Sequence, residues 1–250
     1  MNEDMLRRGV AEFIGTFTLI FIGGGAGIAV AHYHPSTSAD LVGVALANGL
    51  AIGIMVTNLG HISGGHFNPA ITLGFLSTKR IAASLAGLYW ACQLLGGTVA
   101  ALILRELTSR AAVAHHAAPI PAAHLTDAKA VIFELILTFF LVWAVWATAV
   151  DPRGAFKAIA GLAIGLTITI DVLMGGPFTG AAMNPARAFG PELAGKVWTG
   201  WWVYWIGPML GALLAAQVYE YLYLRPTAPP VVGTPESQVD EPRPGETALS

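Results

Sequence analysis

One stretch of the chain decides how it folds: GGPFTGAAMNPARAFGP, residues 175–191. It lies in strongly apolar sequence, yet its second half contains two prolines, an asparagine and an arginine. Proline cannot continue a helical hydrogen-bond ladder, and an arginine is costly in hydrocarbon. The same Asn-Pro-Ala triplet occurs in GHISGGHFNPAITLG, residues 60–74. Any account of the fold must therefore explain why the interruption occurs twice.

The composition is that of a membrane protein. Apolar residues make up 55% of the 250 residues and charged residues only 11%, and the mean hydropathy is +0.63. A soluble domain of this size carries about 25% charged residues. The single cysteine, Cys92, excludes a disulfide within the chain, and a formal net charge of −2 gives no reason to expect a nucleic-acid partner. Because the first apolar run is longer than a signal-peptide core, we expect it to stay in the membrane.

Six apolar stretches are long enough to cross a bilayer, which takes about 20 residues. They lie at about 9–31, 41–60, 81–104, 130–150, 157–175 and 199–223. Two more segments, about 66–78 and 182–193, are too short to span, and the triplets lie near their starts. Proline is favourable in a first helical turn, and the preceding asparagine is a good N-cap. The pattern predicts two short half-helices, and the many glycines inside the spans predict close helix crossings.

The two halves of the chain are repeats of each other. AEFIGTFTLIFIG, residues 11–23, aligns with FELILTFFLVWAV, residues 133–145, and pairs Glu12 with Glu134. Each half holds three spans and one half-helix, and an odd number of spans inserts the second copy upside down. The inverted repeats cover two ranges, about 9–104 and 130–223. In such folds the functional site lies near the midplane, where interrupted helices meet, because irregular backbone there must be buried or line a wet cavity.

The distribution of basic residues favours a cytoplasmic position for both termini. We expect the protein to lie in a cell membrane (plasma or inner). The inner side then holds Arg7, Arg8, Lys79, Arg80, Arg153, Lys157 and Arg225. The outer loops hold Arg105, Arg110, Lys129 and Lys196. After a channel domain over residues 1–223, the stretch 224–250 is Pro-rich and acidic without an apolar period. We expect it to be a disordered cytoplasmic tail.

These motifs resemble those of the aquaporins, the major intrinsic protein family, over roughly residues 9–223. The resemblance rests on the two Asn-Pro-Ala boxes, on HISGGHFNPA, on a glutamate in the first span of each repeat and on WWVYWIGP. DPRG, LAIGL and GGPFTGAAMNPARAFGP are similar to the plant tonoplast type and its prokaryotic relatives. The resemblance implies an all-α, six-span right-handed bundle with two half-helices, assembled as a homotetramer with one pore per subunit. It also implies a passive channel without a cofactor, with water, small neutral solutes and the lipid bilayer as partners.

The paired boxes suggest how such a pore passes water but not protons. The boxes consist of Asn68, Pro69, Ala70, Asn184, Pro185 and Ala186. The asparagine amides can donate hydrogen bonds into the pore, and each half-helix N-terminus carries about +0.5 charge. A water molecule that accepts from both asparagines cannot also accept from a neighbouring water. The proton-hopping chain is then broken.

By the resemblance, the narrowest ring consists of Arg187, Asn48, Val172 and Ala181. Strict water channels of the family carry a phenylalanine and a histidine in place of Asn48 and Val172. The ring is therefore expected to be wider and less rich in donors, which would admit ammonia, hydrogen peroxide or urea beside water. Glycerol is disfavoured, because Ala188 stands where glycerol channels carry an aspartate.

The remaining polar residues are expected to support the pore. The resemblance implies that Glu12 and Glu134 accept hydrogen bonds from the pore-loop backbone and from His61. His61 and His66 have no third ligand beside them, and a metal site needs at least three, so we predict no metal. Asp171 stays open: it could bond a loop, face the filter or lie neutral against another helix. It is also the only carboxylate available to the main alternative, a coupled secondary transporter. An enzyme is the least supported class.

Overall fold

The computed structural model describes residues 3–33, 38–153 and 159–225, which form helices joined by loops, with no strand in these ranges. The α-helices there are α1 (Glu3–Thr18), α2 (Gly25–Tyr33), α3 (Ser38–Ser63), α4 (Pro69–Ser77), α5 (Ala83–Leu107), α6 (Arg110–Ala112), α7 (Asp127–Val145), α8 (Ala160–Thr179), α9 (Pro185–Gly195) and α10 (Val203–Tyr219). π-Helical segments adjoin them at Leu19–Gly24, Val113–Ala117, Trp146–Val150 and Glu220–Leu224. The tail predicted over 224–250 lies outside the described residues from position 226 onward, as do Lys157 and the expected start of the fifth span.

Five helical runs in the described ranges are long and apolar enough to cross a membrane. They are Glu3–His32, Asp40–Ser63, Ala83–Leu107, Asp127–Val150 and Ala160–Thr179. The sixth predicted span begins later than expected, because the chain before Val203 forms turns closed by bonds such as Val203 N to Gly200 O (2.9 Å). Its α-helix has 17 residues and continues into the π-helical segment Glu220–Leu224. The prediction of an all-α membrane protein with spans and half-helices is confirmed.

The two repeats pack in equivalent ways and interlock. In the first repeat α1 packs on α5, and in the second α7 packs on α10. Helices α3 and α8 join the repeats along their length. Each half-helix also packs on the last span of the opposite repeat, α4 on α10 and α9 on α5. The half-helices are thus held inside the bundle.

Glycines allow the closest of these crossings. A Cβ on Gly165 of α8 would lie 2.5 Å from the carbonyl oxygen of Gly49 on α3, and one on Gly211 of α10 would lie 2.2 Å from that of Leu135 on α7. No larger residue fits without moving the backbones apart. The prediction that glycines mark helix crossings is confirmed, and small residues at interfaces are how membrane helices pack closely.

A hydrogen bond and an ion pair connect the end of α10 and the segment after it to neighbouring loops. The Asp151 carboxylate accepts from Arg153 Nε (3.0 Å), from Arg153 Nη2 (2.7 Å) and from Tyr219 Oη (3.1 Å). The guanidinium beside it holds the pKa of the Asp151 carboxyl well below its usual range. A second ion pair joins Arg80, after α4, to Glu220, after α10.

Candidate functional site

Each half-helix begins with an asparagine cap. Asn68 Oδ1 accepts a hydrogen bond from Ala70 N at 2.8 Å. Asn184 Oδ1 accepts from Ala186 N at 3.0 Å and from Arg187 N at 3.3 Å. Both asparagines have extended backbone conformations with φ of −156°, and proline follows each of them. The predicted half-helix starts are thus formed, with the backbone donors of each first turn partly satisfied by the cap.

The same two asparagines bind the opposite loop. Asn68 Nδ2 donates to the carbonyl oxygen of Met183 at 2.8 Å, and Asn184 Nδ2 donates to that of Phe67 at 2.9 Å. The two N-termini are therefore joined directly, each through the residue before the other cap. An amide NH2 group has two hydrogens, so each asparagine keeps a second N–H beyond this bond. No local sequence pattern indicates this reciprocal pairing, because each bond joins an asparagine to the loop of the other repeat.

The loops before the caps adopt a strained backbone. Phe67 and Met183, in equivalent positions, have φ of 49° and 51°, and Ala181 has φ of 44°. A non-glycine residue in this region costs about 1–3 kcal/mol and persists only where its surroundings hold it. Gly64 and Gly180 adopt positive φ at equivalent positions of the two loops. The match between the loops shows the inverted repeat at the level of single residues.

A buried glutamate holds the first loop. Glu12 Oε1 accepts from Ser63 Oγ at 2.6 Å and from His66 N at 3.0 Å. Its Oε2 accepts from Phe67 N at 2.6 Å and from Gln93 Nε2 at 2.8 Å. Glu12 has no exposed surface, so four donors compensate its burial. Charge-assisted bonds of this kind are among the stronger hydrogen bonds in proteins.

The second loop is held in the same way by the other glutamate. Glu134 Oε1 accepts from Thr179 Oγ1 at 2.7 Å and from Ala182 N at 2.9 Å, and its Oε2 accepts from Met183 N at 2.7 Å. Glu134 is also fully buried. Both carboxylates thus bind the backbone N–H of the residue just before a capping asparagine, which fixes the direction of that residue's carbonyl.

The expected contact between His61 and Glu12 is wrong. His61 lies exposed on the last turn of α3, and Ser63 supplies the side-chain donor instead. The sequence did carry a signal for this donor, because Ser63 and Thr179 are hydroxyl residues five positions before the two asparagines. The other expected support residue, His66, is buried, with Nδ1 at 3.0 Å from Thr72 Oγ1.

A narrow cavity of about 40 Å³ runs past both caps. Its polar lining consists of Asn48, His66, Asn68, Asn184 and Arg187, and the predicted ring residues Val172 and Ala181 also line it. Most of the remaining wall is aliphatic, from Leu19, Ile52, Val56, Ile71, Leu141, Val145, Ile164 and Ile168. The structure therefore brings the four predicted ring residues and both asparagines to one path.

The cavity leads to a wider vestibule of about 630 Å³. Val172 and Arg187 line both spaces, so they stand where the narrow path widens. His116 lines the vestibule, whereas His124 lies exposed in the loop that follows and is not among the residues that line either space.

The side chains at this constriction differ in how firmly they are held. Asn48 Nδ2 donates to Val44 O at 2.8 Å. Its amide packs so closely on the π-helical segment Leu19–Gly24 that a Cβ on Gly23 would lie 2.3 Å from Asn48 Oδ1. Arg187 Nη1 is buried without a hydrogen-bond partner among the described residues.

Asp171 lies beside Val172 on α8 but is not among the residues lining the cavity. It is buried, and its Oδ2 likewise has no partner within the described ranges.

Two half-helices that meet inside an inverted repeat, around a narrow path opening to a vestibule, define a membrane channel. The chain belongs to the major intrinsic protein family, which it matches over residues 1–219. It is thus a multi-pass integral membrane protein and a passive channel for water and small solutes. Among the residues the structure describes, no cluster of histidine, cysteine or acidic side chains could hold a metal ion.

Relatives of the tonoplast type are similar over most of their length. The chain is 44% identical to probable aquaporin TIP-type alpha of Phaseolus vulgaris over 235 residues, which is 92% of this chain and 90% of the relative. It is 45% identical to aquaporin TIP4-4 of Zea mays over 228 residues, 89% of each. The fold matches the X-ray structure of the aquaglyceroporin from Plasmodium falciparum with a TM-score of 0.78 and 25% identity, covering 87% of this chain and 96% of that one.

Proposed function

We propose that the channel conducts water and excludes protons at the point where the two half-helices meet. The observation that carries this proposal is the reciprocal pairing of Asn68 with Met183 and of Asn184 with Phe67. The pairing fixes both amides beside the cavity and leaves each with one further N–H. Both helix N-termini direct positive potential at the same place. A water there accepts from the amides and cannot relay a proton, and a cation meets a repulsive field.

Selectivity among solutes is assigned to the ring of Asn48, Val172, Ala181 and Arg187. The support is that all four line the narrow cavity, with Arg187 and Val172 at its wider end. Arg187 provides the fixed charge of the ring, while the other three present one amide and two small apolar groups. Such a ring admits ammonia, hydrogen peroxide and urea beside water.

Glycerol is expected to pass poorly. Ala188 follows the ring arginine and is fully buried in a small apolar cluster that also contains Tyr204. By the resemblance, glycerol channels of the family carry an aspartate at this position, and the alanine of this chain provides no carboxylate there.

The buried acids argue for a channel rather than for a transporter or an enzyme. Glu12 and Glu134 have their oxygens engaged by loop donors, so we assign them the role of holding the pore loops and no role in catalysis. A coupled transporter would need a carboxylate in the path to bind its ion. Asp171, the candidate that the sequence suggested, is not among the residues lining the cavity.

The Arg187→Val variant tests the ring. Removing its fixed charge and largest side chain is expected to admit larger solutes or small cations while osmotic water flow persists. Stopped-flow light scattering of proteoliposomes under urea and glycerol gradients measures the solute cut-off, and a potassium-sensitive dye measures cation entry. If both stayed at wild-type values, Arg187 would not be part of the filter.

We further propose a homotetramer in a cell membrane with both termini in the cytoplasm. Many large apolar side chains face outward on the spans, including Leu50, Ile54, Leu162 and Leu166 of α3 and α8. That surface suits lipid or neighbouring subunits. The basic residues at the ends of the spans favour the orientation. Native mass spectrometry of the purified protein measures the number of subunits, and protease access to sealed vesicles locates the termini.

A further inference from the structure

A glycine of the first span lies directly behind the ring residue Asn48. Gly23 is buried in the π-helical segment Leu19–Gly24. A Cβ built on Gly23 would lie 2.3 Å from Asn48 Oδ1, 2.7 Å from its Cγ and 3.1 Å from its Nδ2. Non-bonded carbon atoms normally lie about 3.5–4.0 Å apart. The amide of Asn48 therefore occupies the space that a side chain at position 23 would fill.

The backbone around this glycine is unusual for a membrane span. The π-helical segment interrupts the first span between α1 and α2, and its first residue, Leu19, lines the narrow cavity. π-Helical turns are rare, and they occur frequently at functional sites. On its other side the Asn48 amide is held by its own helix, through the bond from Nδ2 to Val44 O at 2.8 Å. The amide is thus folded back on α3 and on the π-helical segment.

The second repeat fills the corresponding positions differently. In the alignment of the two repeats Val145 is equivalent to Gly23, and Ile164, like Asn48, stands twenty positions before a capping asparagine. Val145 and Ile164 are both buried and both line the narrow cavity. An apolar side chain therefore takes the place of the glycine where no amide needs the space. Only the first repeat combines a glycine with an asparagine at these two positions.

We propose that Gly23 is a positioning residue of the filter: because it has no side chain, it keeps the Asn48 amide out of the water path and so sets the width of the ring. This inference rests on the proposed place of Asn48 in the ring. A methyl group at position 23 displaces the amide, because the end of one side chain moves more readily than two closely packed helices. Asn48 lines the narrow cavity, which is the open space beside it. The displaced amide therefore enters the path and narrows it.

Gly23→Ala tests this proposal against two matched controls. Stopped-flow light scattering of proteoliposomes measures the permeability to urea and to the smaller formamide, each relative to osmotic water flow. A misfit of one methylene at a close-fitting site changes discrimination about tenfold or more. We therefore expect Gly23→Ala to lower the urea-to-water ratio about tenfold and the formamide-to-water ratio by less. Gly25→Ala and Gly43→Ala are expected to keep the wild-type ratios. A Cβ on Gly25 would lie 3.4 Å from Leu104 Cδ2, an ordinary contact, and one on Gly43 would meet nothing within 4 Å.

Two variants of Asn48 determine whether the effect acts through its amide. In an Asn48→Ala background no amide remains to be displaced, so Gly23→Ala is expected to lose its effect on the urea-to-water ratio. Asn48→Gln lengthens the amide against the same filled space and is expected to lower the ratio as Gly23→Ala does. Asn48→Gln also keeps the proposal testable if Gly23→Ala does not fold.

Wild-type ratios in Gly23→Ala would overturn the proposal, as would a loss that persists when Asn48 is replaced by alanine, because the glycine would then act on packing alone. Wild-type ratios in Asn48→Gln would overturn it as well. Failure of the filter assignment shows separately, as an unchanged solute cut-off and cation exclusion in Arg187→Val. If the wild type excludes urea, the ring is narrower than proposed, and the formamide-to-water ratio carries the same comparison between Gly23→Ala and its controls.

Discussion

Replacing Glu134 with leucine is expected to abolish osmotic water flow and to lower the thermal stability of the channel. The change removes the acceptor of Thr179 Oγ1, Ala182 N and Met183 N. Each buried donor left unpaired costs about 1–3 kcal/mol. The positive φ of Met183 also loses the bond that holds it, and such strain is itself about 1–3 kcal/mol. The loop is then free to relax into the narrow path.

Thermal unfolding in detergent and stopped-flow light scattering of proteoliposomes measure the two effects. Glu134→Gln is the matched control, because its amide keeps one acceptor oxygen and the same shape. We expect it to fold with reduced stability and to retain part of the water flow. If Glu134→Leu unfolded at the wild-type temperature and conducted water normally, this carboxylate would not hold the second pore loop.

The Asn48→Phe, Val172→His double variant is expected to keep water flow and to lose most urea permeability and some ammonia permeability. The side of Asn48 that faces the π-helical segment Leu19–Gly24 has no room for a larger group, because the Asn48 amide oxygen already lies 2.3 Å from the position of a Cβ on Gly23. A phenylalanine ring must therefore extend into the cavity and narrow it. The histidine adds a donor at the wider end, where Val172 borders the vestibule. A donor there favours water over less polar solutes.

Light scattering under urea gradients measures the urea permeability, and an internal pH dye under ammonia gradients measures the ammonia permeability. The single variants form the controls, with Asn48→Phe expected to carry most of the loss of urea. A wild type that already excludes urea and ammonia as strongly as the double variant would contradict the wide ring. Asp171 and His116 are then the residues to test next.

The spans and half-helices can be predicted from local sequence, whereas the contacts between the half-helices cannot. A long apolar run predicts a helical span because a helix satisfies its own backbone hydrogen bonds inside the bilayer. Asn-Pro predicts a cap and a first helical turn, because the bonds involved join residues no more than three positions apart. The predicted start of the sixth span, at about 199, precedes the start of α10 at Val203. The tryptophans at 201 and 202 favour a span there, but Gly200, with φ of 65°, turns the chain.

The sequence predicts which residues belong to the site, but it does not predict the hydrogen bonds between them. Pairing Asn68 with Met183 depends on how two half-helices from opposite repeats meet, which no local pattern contains. The resemblance names His61 as a partner of Glu12, whereas Ser63 is the side-chain donor. Two residues along a helix is more than half a turn, so these two side chains point in different directions.

The central claim is that the paired asparagines let water through and stop protons, and one experiment measures both at once. Proteoliposomes carrying a trapped pH dye are exposed first to an osmotic gradient and then to a pH gradient, with valinomycin and potassium to remove any voltage limit. We expect the protein to accelerate osmotic shrinkage while the internal pH changes no faster than in protein-free vesicles. A proton influx that rises with channel density alongside water flow would contradict the claim.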